Sequence, residues 1–235
     1  GGDMPIKAYL DREKYYAYAS LNVLQLNDNS NFSLPYILAL LNSKLLNWYY
    51  AYNFSNKSNL TVNISKTFLE KLPIKNATKE QQNSLSLKAE KMIELNKRLH
   101  EETQKALELI KLEYKPKKIS QKLEVFYTLG VNPFIEELDK LGVMTPSAEP
   151  AGKTSGAKPT EKSQSKSQSR DTTRASKLTL SQKEELISWY KTKSEQLNKI
   201  KSEIDTLDHE IDQEVYKLYN LTPEEISIIE GHSLK

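Results

Sequence analysis

The 235 residues include no cysteine, so the chain can build neither a disulfide framework nor a thiolate nucleophile or metal ligand, and a reducing compartment suits it. Its seven glycines form no glycine-rich run after a strand-like segment, which removes the backbone cradle that cofactor and nucleotide phosphates require. The three histidines, His100, His209 and His232, are scattered, two of them in charged helical stretches, and have neither ligand spacing nor the setting of a general base. Long apolar runs are lacking too. The longest, about Leu34 to Leu41, falls far short of the roughly 20 residues that span a bilayer, and no charged-then-apolar leader opens the chain. The expectation is a cytoplasmic chain with no membrane partner. In that setting the seven Asn-x-Ser/Thr sequons (Asn31, Asn53, Asn56, Asn59, Asn63, Asn76 and Asn220) read as asparagine-rich composition rather than glycosylation sites.

Two acidic patterns mimic chemistry. Glu113-Tyr114-Lys115 matches the Glu-x-Lys of metal-dependent nucleases, but it sits at a helix end rather than on a strand. Glu203, Asp205, Asp208, Glu210, Asp212 and Glu214 have the spacing of a charged helix face. No catalytic and no metal-ligating residue is therefore expected.

What is present is unevenly distributed charge. Residues 1–75 carry eight Lys/Arg against five Asp/Glu, and residues 146–177 carry seven against three, whereas residues 178–235 carry seven against twelve. A modestly basic N-terminal part can approach phosphates, and the acidic C-terminal part is repelled by them.

The organising stretch is Ser65 to Tyr114. Leu72-Pro73-Ile74 closes an aromatic-rich N-terminal part, Thr78 and Gln81 have capping-box spacing, and apolar positions at Leu85, Ala89, Met92, Leu95, Leu99, Ala106 and Ile110 predict one long amphipathic helix. Such a helix spans roughly 50 to 55 Å, more than a small domain needs. Upstream, the partial alternation of Tyr16, Tyr18, Ser20, Val23, Leu24 and Leu26 predicts one or two short strands within residues 8–26. Ser33 and Pro35 then open an apolar helix running to Tyr49. Lys115-Pro116-Lys117-Lys118 breaks the long helix, and two short helices follow over 122–129 and 132–141. A second capping box at Ser181–Glu184 precedes a second long helix, strictly 3-4 spaced from Leu197 to Ile211. The fold class expected is α+β: a small N-terminal α/β reader, then a long antiparallel, coiled-coil-like helical spacer. By segment, residues 1–3 are a cloning remnant, 4–75 the reader, 76–145 the long helix with a small helical subdomain, 146–177 a flexible linker, and 178–235 the C-terminal long helix and terminal helix.

The candidate surface is the amide-rich stretch from Asn53 to Ser65. Asn and Lys side chains are those that read base edges and phosphates in a groove, which selects Asn53, Asn56, Lys57, Asn59, Thr61, Asn63 and Lys66, with Lys44 as a phosphate contact.

Two segments carry a family likeness. Tyr36-Ile37-Leu38-Ala39-Leu40-Leu41-Asn42-Ser43-Lys44-Leu45 with Leu69-Glu70-Lys71-Leu72-Pro73-Ile74, and Ile211 to Ile226 through Tyr216-Lys217-Leu218-Tyr219-Asn220-Leu221-Thr222-Pro223, resemble the C-terminal target-recognition domain of DNA adenine methyltransferases in restriction-modification systems. The likeness is to the type IIG, or methyltransferase-endonuclease, kind. It extends through Phe126-Tyr127 and Phe134 to Leu138, with Asn220 standing where the family usually has glycine. The family's cofactor loop, its Asn-Pro-Pro-Tyr motif and its nuclease motif have no counterpart here. The resemblance implies double-stranded DNA as ligand and a recognition fragment without enzyme activity, cut from or working beside the methyltransferase/endonuclease domains of a larger enzyme. That parent or partner, not this chain, would use S-adenosylmethionine, and Mg2+ if it cleaves. The alternatives are a type I specificity subunit or half-subunit, and a coiled-coil protein-interaction module.

Overall fold

The computed structural model describes residues 6–13, 15–16, 21–54, 64–116, 118–140 and 179–231. The expected remnant at 1–3 and linker at 146–177 lie outside them. Among the described residues the elements are α1 (Leu34–Asn42), α2 (Lys44–Phe54), α3 (Lys66–Leu69), α4 (Lys79–Tyr114), α5 (Gln121–Glu124), a 3-10 turn (Phe126–Thr128), α6 (Val131–Lys140), α7 (Leu180–Leu218) and α8 (Pro223–Ile229).

The expected α+β class, with its α/β reader, is wrong: the described residues are helix and loop, and no strand occurs among them. A strand persists only where a neighbour answers its backbone groups and one face is buried. Here side-chain amides answer instead. Asn42 accepts from the Ala8 amide at 2.9 Å and donates to the Ala8 carbonyl at 3.1 Å, while Asn47 accepts from the Ile6 amide at 2.7 Å. The alternation further on has no buried face, because Leu21, Val23 and Leu24 are 64%, 66% and 51% exposed.

The single helix expected from Ser33 to Tyr49 is two helices. Ser33 caps α1 by accepting from the Tyr36 amide, with Pro35 in the first turn. Ser43 then adopts φ −69°, ψ 151° and interrupts the helix. Its hydroxyl donates to the Leu40 carbonyl at 2.7 Å and accepts from the Leu46 amide at 3.4 Å, so one side chain closes α1 and opens α2. Asn47 donates to the carbonyls of Leu41 and Ser43, at 3.0 and 3.1 Å, the first of which the break would otherwise strand.

The chain divides into two compact units, residues Gly1–Leu99 with Ile200–Lys235, and residues His100–Lys199. In the first, α4 starts at the expected box: Thr78 accepts from the Gln81 amide at 3.3 Å and Gln81 accepts from the Thr78 amide at 3.0 Å. The α7 segment runs antiparallel to α4. The Lys75 amide, just ahead of α4, donates to the Tyr219 hydroxyl at 3.1 Å, and Lys88 further along reaches Glu210 and Glu214 at 3.2 and 3.3 Å. Leu85, Ala89 and Leu95 bury against Ile200, Ile204, Leu207, Ile211 and Val215, with Tyr36, Leu40 and Leu46 of α1 and α2 completing the core. At the end of α7, Asn220 takes φ 57° and the Leu221 amide returns to the Tyr216 carbonyl at 3.1 Å, a left-handed stop that asparagine tolerates. Thr222 and Glu225 then form a complete capping box for α8.

The second unit is aromatic. Phe134 stacks on Tyr190 with centroids 4.4 Å apart, Phe126 stacks on Trp189 at 6.0 Å, and Asn198 donates to the Tyr127 carbonyl at 2.8 Å. Here the second box is displaced from its expected place. Thr179 accepts from the Gln182 amide at 3.3 Å and Gln182 accepts from the Thr179 amide at 3.0 Å, so the cap lies two residues before Ser181.

Asn47→Ala deletes three hydrogen bonds to backbone groups in a side chain only 3% exposed. It is expected to lower unfolding stability by about 2–4 kcal/mol, with a matching drop in the urea midpoint.

Candidate nucleic-acid interface

Each end of the amide-rich stretch rests on an aromatic base. Phe54, the last residue of α2, stacks on Phe68 of α3 with centroids 4.9 Å apart and planes inclined by 10°. Tyr50, fully buried, meets both rings edge-on at 5.6 and 6.4 Å, and Tyr49 meets Phe54 at 6.1 Å. Ile6 and Leu72 close this cluster. Residue 64 is tied separately, since Asn22 donates to the Ile64 carbonyl at 2.9 Å.

Of the eight residues selected from the sequence, the structure describes three. Asn53 is exposed on the last turn of α2, its amide nitrogen donating to the Tyr49 carbonyl at 2.9 Å. Lys66 opens α3 with its side chain 83% exposed, 3.8 Å from Glu70. The Phe54–Phe68 stack brings these two helix ends together. Asn56, Lys57, Asn59, Thr61 and Asn63 lie outside the described residues.

Lys44 stands at the opposite end of α2, in a network of charges. Its ammonium lies 3.5 Å from Asp212 Oδ2 and 3.3 Å from Glu230, and its backbone amide donates to Asp212 Oδ1 at 2.9 Å. The carboxylate of α7 thereby caps α2, where the exposed amides and the helix dipole favour negative charge. Tyr216 donates to Glu230 at 3.0 Å. Asp212 is 2% exposed and its Oδ2 makes no hydrogen bond, leaving the 3.5 Å ion contact as its compensation. Burial pushes the Asp212 carboxyl above its ordinary range, against the pull of Lys44. Burial also lowers the Lys44 ammonium, but Asp212 and Glu230 outweigh it and leave it raised. Glu230 is lowered: burial is opposed by the Tyr216 hydrogen bond and by Lys44. A phosphate approaching Lys44 competes with two carboxylates already in place.

The acidic series divides in the same way. Asp205 pairs with Lys201, Glu210 and Glu214 with Lys88, and Asp212 with Lys44. Among the described residues no three His, Cys, Asp or Glu side chains are grouped to hold a metal ion, and no helix is long and apolar enough to cross a membrane.

Comparison with known families gives two matches. Residues 3–74 match the TaqI-like C-terminal specificity domain, and residues 78–215, more than half of the chain, match a family described as Domain of unknown function (DUF8810). No curated protein and no solved structure matches the chain.

The raised Asp212 carboxyl sets a pH signature. In the folded state it holds its proton to higher pH than in the unfolded chain, so the stability it contributes is present in acid and lost as pH rises through the raised value. Asp212→Asn keeps an acceptor for the Lys44 amide and removes this titration. Its stability relative to the parent protein is expected to improve as pH rises from 4 to 7 in urea unfolding, whereas Asp212→Ala, which also removes the cap, loses about 2–3 kcal/mol at neutral pH.

Proposed function

From a chain that belongs to the family described as Domain of unknown function (DUF8810) and is similar over residues 3–74 to the TaqI-like C-terminal specificity domain, we propose a sequence-specific reader of double-stranded DNA in a restriction-modification system. The specificity-domain match carries this reading. The charge of the same segment supports it: residues 44–75 hold five lysines, Lys44, Lys57, Lys66, Lys71 and Lys75, against Glu70 alone. Asn53, Asn56, Asn59, Thr61 and Asn63 are proposed to read base edges, and Lys57 and Lys66 to hold phosphates, from the stretch that the Phe54–Phe68 stack closes. Lys44 serves as a phosphate contact only where DNA draws its ammonium from Asp212 and Glu230.

A specificity domain performs no chemistry of its own. In the finer reading, residues 4–75 read, residues 76–145 and 178–235 form a coiled-coil-like spacer, and residues 146–177 tether them. The chain works with the methyltransferase/endonuclease domains of a type IIG parent or partner that supplies S-adenosylmethionine and, for cleavage, Mg2+. The chain fixes register while the partner flips its target adenine. A type I specificity subunit is the second reading, favoured by the 36-residue helix α4 that follows the matched segment. A second recognition domain in the parent gene would select it.

The test is selection of the purified chain on a random duplex pool at 50 and 200 mM salt, followed by sequencing. A short enriched motif is expected, with affinity falling roughly 100-fold between the two salts if three or four phosphates are contacted. Binding that vanishes with salt and enriches nothing would overturn the reading. Replacing Asn56, Lys57 and Asn59 together by alanine is expected to reduce preference for that motif by about 30-fold or more. Unchanged preference removes those three residues from the reading surface.

A further inference from the structure

The last turns of α2 present a second chemistry beside the amides. Trp48 and Tyr52, one helical turn apart, stack with centroids 5.2 Å apart and planes inclined by 11°. Trp48 is half-buried, and Tyr52 is 76% exposed with its hydroxyl unbonded among the described residues. A tyrosine braced on an indole has little rotamer freedom left to lose on binding, and offers an apolar ring and a polar tip together. It adjoins Asn53 and lies two residues before the ring that stacks on Phe68.

The surrounding charge identifies what such a ring would meet. Lys66, Lys71 and Lys75 are exposed in the segment whose net charge over residues 44–75 is +4, from five lysines and one glutamate. Lysine is depleted at protein interfaces, whereas a polyanion attracts it.

We infer, resting on the DNA-recognition reading above, that Tyr52 braced by Trp48 is a backbone contact for duplex DNA, its ring against a deoxyribose and its hydroxyl donating to the adjoining phosphate. Tyrosine hydroxyls are among the donors that place a protein on the duplex without reading sequence. The contact would fix the distance of α2 from the strand, leaving the amides beyond it to reach the bases.

The experiment repeats the pool selection with the full chain and its Tyr52→Phe and Tyr52→Ala variants, then measures each on the enriched duplex. Phe is expected to weaken binding about fivefold by loss of one hydrogen bond, and Ala roughly 30-fold by loss of ring and hydroxyl together. Both should enrich the same motif as the parent. Tyr52 is so exposed that neither change should move the unfolding midpoint, and Phe keeps the stack on Trp48 should Ala perturb the fold. If the parent enriches a motif and both variants bind it equally well, the contact is refuted while the recognition reading stands. A variant that enriches a different motif would make Tyr52 a base reader and refute the backbone assignment. If the parent itself enriches nothing, the recognition reading falls and the inference with it.

Discussion

The buried Asp212 carboxylate is the constraint on which the first unit turns. It lies 168 residues from Lys44 and closes the N-terminus of α2 through that residue's amide while facing its ammonium. As an energy source such a pair is modest, because withdrawing two charges from water offsets most of their attraction. Its effect is to fix register. Asp212 follows Ile211 on the core-facing side of α7, and the next core residue is Val215. A slip of α7 by one turn would bring no other amide to the carboxylate and would leave a charge buried alone. The apolar stripe alone, repeating every three or four residues, tolerates that slip far better.

Much of this unit is local and was legible in the residues. The Thr78–Gln81 box and the stripes of α4 and α7 each depend on neighbours within a turn or two, which is the range that spacing reports. The second box was misplaced by two residues because Thr179 and Ser181 both precede plausible partners. The strands were misread for a different reason. Alternation implies a sheet only if one face is buried, and Leu21, Val23 and Leu24 stay exposed, while upstream of them Asn42 and Asn47, more than thirty residues away, answer the backbone of Ala8 and Ile6. The break at Ser43 did carry a signal, since Asn42 and Ser43 are adjacent residues that compete for backbone hydrogen bonds and weaken a helix interior.

The candidate interface divides along the same line. Exposure of Asn53 and Lys66 follows from their polar, amide-rich surroundings, which composition reports directly. The pairing of Lys44 does not, because its partners lie on α7 and just past α8, and nothing in residues 40–50 hints at them. Asp212 itself was grouped with its acidic neighbours as a solvated face. It differs from them only in facing α2, a property of packing rather than of spacing.

The Phe54–Phe68 stack has a consequence for how this surface can change over evolutionary time. The two rings bring Phe54 and Phe68, fourteen positions apart in the chain, into direct contact. The entropy of closing such a loop grows only with the logarithm of its length, so doubling the length costs about 0.6 kcal/mol. Changes of length or sequence within residues 55–63 can therefore accumulate without removing the Phe54–Phe68 contact. On the reading proposed above, exchanging that short cassette would change the target while the Phe54–Phe68 pair stays as it is.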